Sequence, residues 1–128
     1  MKKNKPEELV LNYFKGVDEE NINKILKTLT VDCVFSIENH GIELIGHKEF
    51  TGMFKRLWKN HKSVEHKEFY FVKDHMSNQV AVRFQVKNVL LNGQFVLKSN
   101  CNFFTLRDGL FSEVRVYMAG ENTLNKED

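Results

Sequence analysis

The apolar residues of this chain change their spacing partway along. Up to about residue 60 they recur at helical intervals, and beyond it they alternate. Leu9, Val10, Tyr13, Phe14 and Val17 form one stripe of an amphipathic helix. Pro6 opens that helix, because its fixed φ suits the first helical position and its missing N–H costs nothing there. Glu7 and Glu8 then sit against the positive end of the helix dipole. Asp18 offers a carboxylate cap for a second helix, along which Ile22, Ile25, Leu26 and Leu29 follow at i, i+3, i+4 and i+7. Two short helices with so tight a joint fold against each other.

Residues 33–37 read as a strand, since Val34, Phe35 and Ile37 favour a pleated surface. Asn39-His40-Gly41 is a turn, residues 42–45 form a short return strand, and Gly46 breaks the pattern. A third helix is predicted over 47–60, with Phe50, Met53, Phe54, Leu57 and Trp58 on one face. Residues 64–72 make the next strand. Val80, Val82, Phe84 and Val86 then alternate with Ala81, Arg83, Gln85 and Lys87, as in a half-buried antiparallel strand. Asn92-Gly93 is a hairpin signal, because both residues tolerate positive φ. Strand 95–106 returns, Asp108-Gly109 turns again, and 111–118 is the last strand. Helices early and antiparallel strands late define an α+β domain. Three helices cover only one face of such a sheet. If it is strongly bent, sheet and helices enclose a pocket.

Composition narrows the reading. A chain of 128 residues makes one domain, 1–128, with an ordered core over about 6–118 and loose ends at 1–5 and 121–128. Eleven phenylalanines suit a large core or an apolar cavity. The net charge of +2 is too small, and the lysines too scattered, for a nucleic-acid footprint. Lys2, Lys3 and Lys5 read as a solvated tail. No apolar run is long enough for a membrane span or a signal peptide, so no membrane partner and a cytoplasmic location are expected. Cys33 and Cys101, far apart in sequence, read as reduced, buried thiols.

The polar residues offer few motifs. His40, His47, His61, His66 and His75 lack the spacing of a zinc site, and no cysteine pairs accompany them; neither metal nor cofactor is expected. His66 shares strand parity with Val64 and is the histidine placed to reach a pocket, although a half-exposed sheet histidine is the simpler expectation. Asp32, between helix and strand, is expected to bond local backbone N–H groups. No glycine-rich phosphate loop is present, and no serine has the context of a nucleophile elbow.

Four segments carry a resemblance: Tyr13-Phe14-Lys15-Gly16-Val17-Asp18; Leu29-Thr30-Val31-Asp32-Cys33-Val34-Phe35; Gly46 before the third helix; and Arg107-Asp108-Gly109-Leu110-Phe111-Ser112-Glu113-Val114-Arg115. Together they resemble the nuclear-transport-factor-2-like superfamily, in its SnoaL-like and ketosteroid-isomerase-like branches. The resemblance implies a cone-shaped fold and leaves chemistry open, because one fold hosts many functions. The isomerase branch uses a tyrosine and a protonated aspartate as oxyanion donors, with a second aspartate as base. Tyr13 falls on the tyrosine position and Asn102 near the protonated aspartate, where an amide is a permanent neutral donor. Ile37 falls on the base position and cannot accept a proton. Glu38, next to it, points to the opposite face by strand alternation. The catalytic candidates are therefore Tyr13, Asn102, Glu38 and His66.

The resemblance and the periodicity together place the pocket wall at Tyr13, Val17, Ile37, Phe54, Trp58, Asn102, Phe104, Val116 and Met118. Two functions fit. One is a module that binds a small apolar molecule without ketosteroid isomerisation. The other is a pocket enzyme of isomerase, cyclase, dehydratase or hydrolase type, with Tyr13 and Asn102 as oxyanion donors. An inward-facing carboxylate or histidine would favour the enzyme. Superfamily habit also implies a homodimer through the outer sheet face, near Arg83, Gln85, Arg115 and Tyr117.

Overall fold

The computed structural model describes residues 5–120, so the ends expected to be loose lie almost wholly outside the described residues. Helix α1 (Pro6–Asp18) and helix α2 (Ile22–Leu26) lead into strand β1 (Leu29–Ile37). A 3-10 turn (Glu38–His40) joins β1 to β2 (Ile42–Ile45), and α3 (Gly46–Lys59) follows. Four long strands complete the domain: β3 (His61–Asp74), β4 (Gln79–Leu90), β5 (Phe95–Arg107) and β6 (Leu110–Tyr117). They form one sheet in the order β2-β1-β6-β5-β4-β3. All pairs are antiparallel except β1 with β6. This is the α+β architecture expected from the change of spacing.

The joint between α1 and α2 differs in detail from the expectation. Asn21, not Asp18, caps α2; its side-chain oxygen accepts from the Lys24 backbone N–H at 3.1 Å. Asp18 is drawn away by a partner in β3, described below. Leu29 belongs to β1, where it pairs with Phe111, so α2 is shorter than its apolar spacing suggested. The two helices come so close that a Cβ on Gly16 would lie 2.7 Å from Cγ1 of Ile25.

The buried rows of the sheet can be followed strand to strand. Val64 pairs with Asn88, and Asn88 with Val96. One step along, His66 pairs with Val86, and Val86 with Lys98. Phe84 stands opposite Asn100 in the next row. Then comes Phe71–Val82–Asn102–Val116–Ile37, and after it Val80–Phe104–Val114–Phe35. Alternation puts these side chains on one face, and nearly all are buried. The register of β3 shifts between Lys67 and Tyr70, where Glu68 has φ of 57°. Such a bulge bends its strand and strengthens the local twist. In the last row Phe104 takes the ring of Tyr13 edge-on, and Phe111 packs against both.

Candidate functional site

Between the helices and the buried rows lies a cavity of about 40 Å³. Tyr13, Phe14 and Val17 of α1 and Phe54 and Leu57 of α3 form its helical wall. Val64, His66, Phe84, Val86 and Val116 contribute from the sheet, with Phe35 and Met118 at its side. Its polar groups are Asn88 on β4 and Asn100 and Asn102 on β5. A space of this size holds roughly three water-sized spheres. A steroid nucleus requires side chains to move apart.

Of the expected wall, Tyr13, Val17, Phe54, Asn102, Val116 and Met118 line the cavity. Ile37, Trp58 and Phe104 do not, which corrects that part of the expectation. Ile37 is fully buried beside Val116, behind the lining. Phe104 sits one row deeper, 4.5 Å from the ring of Phe111. Trp58 stacks on Phe54 and turns its indole N–H to the Val17 carbonyl, at 2.9 Å. Glu38 lies in the 3-10 turn and faces Arg115 at 3.7 Å, away from the cavity.

His66 departs most from expectation. Instead of a half-exposed sheet residue, it is a cavity residue with its side chain only 10% exposed. Asp18, at the end of α1, holds it twice. Oδ2 accepts the His66 backbone N–H at 2.8 Å, and Oδ1 lies 2.6 Å from ring Nδ1. An ionised carboxylate can only accept, so Nδ1 carries the hydrogen. In the neutral ring that leaves the lone pair on Nε2. Phe14 packs against the imidazole at 4.6 Å and Phe84 at 5.5 Å. The ring is thus fixed in tautomer and orientation. This is the arrangement that makes a histidine a usable acid–base group.

Tyr13 is enclosed by Phe14, Phe54, Phe104 and Phe111, all edge-on. Burial pushes its hydroxyl well above the usual phenol range, and the nearby Cys33 adds to the effect. The hydroxyl therefore stays protonated. The amides differ among themselves. Asn100 Oδ1 accepts the Ala119 N–H at 2.9 Å. Asn88 and Asn102 are 2% and 3% exposed, and the Oδ1 of each is buried without a partner. A buried polar atom left unpaired costs about 1–3 kcal/mol.

The other candidates are structural. His61 Nδ1 bonds the Leu57 carbonyl at 2.8 Å at the end of α3, and His47 Nε2 approaches Thr30 O at 3.0 Å. Asp32 takes a local backbone hydrogen bond, as expected, but its principal partner is Arg107 across the sheet. That guanidinium, then Thr30, holds its carboxyl below the ordinary range. Burial, then the charges of Asp32 and Glu113, pushes the Cys33 thiol up to about 12, so it is no nucleophile. Among the described residues no three His, Cys, Asp or Glu side chains converge on a metal position. No helix among them is long and apolar enough to cross a membrane.

Several site residues escaped the sequence, among them Asp18 and Asn88. Asp18 was assigned to a cap, and nothing local links it to a residue 48 positions away. Asn88 was overlooked, although its parity with Val86 and Phe84 was a legible signal. Asn100, whose Oδ1 accepts a backbone N–H, also lines the cavity.

This arrangement of helices and sheet is shared with many solved structures. The chain superposes on a provisionally named polyketide cyclase from Xanthomonas campestris with a TM-score of 0.79 at 21% identity, covering 87% of each chain. An NTF2-like protein from Anabaena variabilis gives a TM-score of 0.77 at 18% identity, over 93% of this chain and 90% of that one. A Catenulispora acidiphila protein with a ketosteroid-isomerase-like fold, solved in complex with trimethylamine, gives 0.78 at 12%, over 89% and 86%. The fold is that of NTF2-like proteins. No protein-family profile and no curated protein sequence matches the chain.

Proposed function

We propose that the cavity binds a small, largely apolar, neutral molecule with polar ends, and that His66, positioned by Asp18, exchanges a proton with it. The observation that carries this reading is the His66 ring, held through Nδ1 at 2.6 Å and lining the cavity. Tyr13 and Asn102 add neutral hydrogen-bonding groups on the same cavity. The inward histidine is the feature that favours a pocket enzyme over a purely binding module. Ile37 offers no base, so the chemistry differs from ketosteroid isomerisation, and a Δ5-ketosteroid is expected to remain unconverted. That the superfamily structure from Catenulispora was solved with trimethylamine, and another, TerC, with polyporic acid, supports a small-molecule role for the fold.

The test is nuclear magnetic resonance of the His66 ring during titration with 4-methylphenol. Binding shifts the His66 ring signals first, and His66→Phe abolishes phenol-dependent shifts at Asn102 or leaves them without a proton-linked component. A phenol that binds only outside the cavity, or none at all, refutes the proposal.

The outer sheet face is proposed to join two copies of the chain. Tyr70, Val72, Phe103 and Tyr117 are exposed there at 39–71%. Arg83 lies 4.5 Å over the Tyr70 ring, and Phe103 packs edge-on to Tyr117.

A further inference from the structure

Two buried atoms on neighbouring strands lack hydrogen-bond partners at one end of the cavity. They are Oδ1 of Asn88 on β4 and Nε2 of His61 at the start of β3. Both residues are more than nine-tenths buried, at 2% and 8% exposure. Leu57 ties the pair to the cavity, because it lines the wall and its carbonyl lies 2.8 Å from His61 Nδ1. A carbonyl only accepts, so Nδ1 carries a hydrogen. That nitrogen serves the end of α3, whereas Nε2 meets no partner. In the neutral ring Nε2 is an acceptor, like the amide oxygen. His61 stands opposite Leu90, two residues along β4 from Asn88. The two side chains are therefore diagonal neighbours on adjacent strands, with Cβ atoms roughly 7–8 Å apart. A single group between them is within hydrogen-bond reach of both, at about 2.9 Å each. Asn88 itself stands between Val64 and Val96, where an apolar side chain would suit the row. An unpaired amide oxygen there weakens the fold, as groups kept for binding do.

We propose that His61 and Asn88 form a subsite for a neutral N–H₂ group, the end of a primary amide or an aromatic amine. This rests on the reading that the cavity takes a ligand. One hydrogen of the group meets Asn88 Oδ1 and the other His61 Nε2. A hydroxyl has one hydrogen to give and leaves one acceptor unpaired; a methyl group leaves both. A site built to hydrogen-bond its ligand discriminates against an analogue that lacks the donor. An ammonium group is disfavoured, because no carboxylate lines the cavity to pair with it. Val86 and Phe84 follow Asn88 along the inward face of β4, so the apolar body of the ligand lies over them.

The experiment titrates the intact chain with aniline, phenol and toluene, which are nearly equal in shape and offer two, one and no hydrogens at the same position. Nitrogen-15 spectra of the imidazoles are recorded at about pH 8, where an ordinary imidazole is neutral. The His61 Nε2 signal is expected to move toward its hydrogen-bonded position with aniline and to stay in place with toluene. Asn88→Leu is expected to weaken aniline binding about fivefold, the worth of one hydrogen bond, and to leave toluene unchanged or tighter. The wild-type Nε2 signal decides alone should that variant fail to fold. Phenol is expected to show one of the two effects; both at full size with phenol overturn the preference for N–H₂. If toluene moves the Nε2 signal as aniline does, or Asn88→Leu alters both rings alike, the subsite is wrong while the cavity remains a ligand site. If none of the three rings binds the wild type, the ligand-site reading fails and this inference with it.

Discussion

Replacing Asp18 separates the two jobs its carboxylate performs. In Asp18→Ala the His66 backbone N–H and ring Nδ1 both lose their acceptor, at 2.8 and 2.6 Å in the native protein. A hydrogen bond to a charged group contributes about 1.5–3 kcal/mol. The carboxylate is 25% exposed, so water recovers part of each bond. A total loss of about 2–4 kcal/mol follows, below the simple sum. For a domain of this length, that lowers the melting temperature by roughly 8–16 °C. Asp18→Asn behaves differently. Its amide oxygen still accepts the backbone N–H, and its NH₂ group then faces Nδ1. Two donors cannot meet there, so the ring hydrogen moves to Nε2 and the ring becomes a donor toward the cavity. The cost is about 1 kcal/mol, one ordinary hydrogen bond. Calorimetry reads the stabilities, and nitrogen-15 spectra of the imidazole read the tautomer. An Asp18→Ala variant within about 0.5 kcal/mol of the wild type, the usual span of surface substitutions, refutes the account. So does an unchanged His66 tautomer in Asp18→Asn.

Gly16→Ala is expected to destabilise by about 1–2 kcal/mol, because the added Cβ meets Ile25 at 2.7 Å and overpacking outweighs the better helix propensity; chemical denaturation checks it. Cys33 is expected to react with a thiol reagent only after unfolding, which mass spectrometry of the labelled chain resolves. The same thiol makes folding weaken in alkali. Its native ionisation is pushed up to about 12, while the unfolded thiol ionises near 8.5. The unfolded state therefore releases its proton first, and stability falls as the pH climbs between those values; Cys33→Ala removes that contribution to the slope. Light scattering is expected to give a dimer mass for the wild type and a monomer mass for Phe103→Glu; a wild-type monomer at high concentration overturns the proposed pairing.

Local rules carried much of the architecture. The helical stripe of α1, the Phe50–Trp58 face of α3 and the Asn92-Gly93 and Asp108-Gly109 hairpins depend on residues close in sequence, so periodicity and turn chemistry reveal them. Parity with Val64 also pointed His66 toward the pocket, and the resemblance placed Asn102 there. Register across strands was not legible, because it depends on how the whole sheet pairs. Nothing local says that Asn102 stands beside Val116, that Phe104 lies a row too deep to line the cavity, or that Trp58 turns to the Val17 carbonyl. Asp18 shows the limit most clearly. By sequence it was a good cap for the helix that follows, and Asn21 could fill that place as well. The close approach of α1 to β3 let the carboxylate meet a ring and an N–H 48 residues away. That choice between two acceptable partners was made by tertiary packing alone, and it turned an expected sheet histidine into an oriented one.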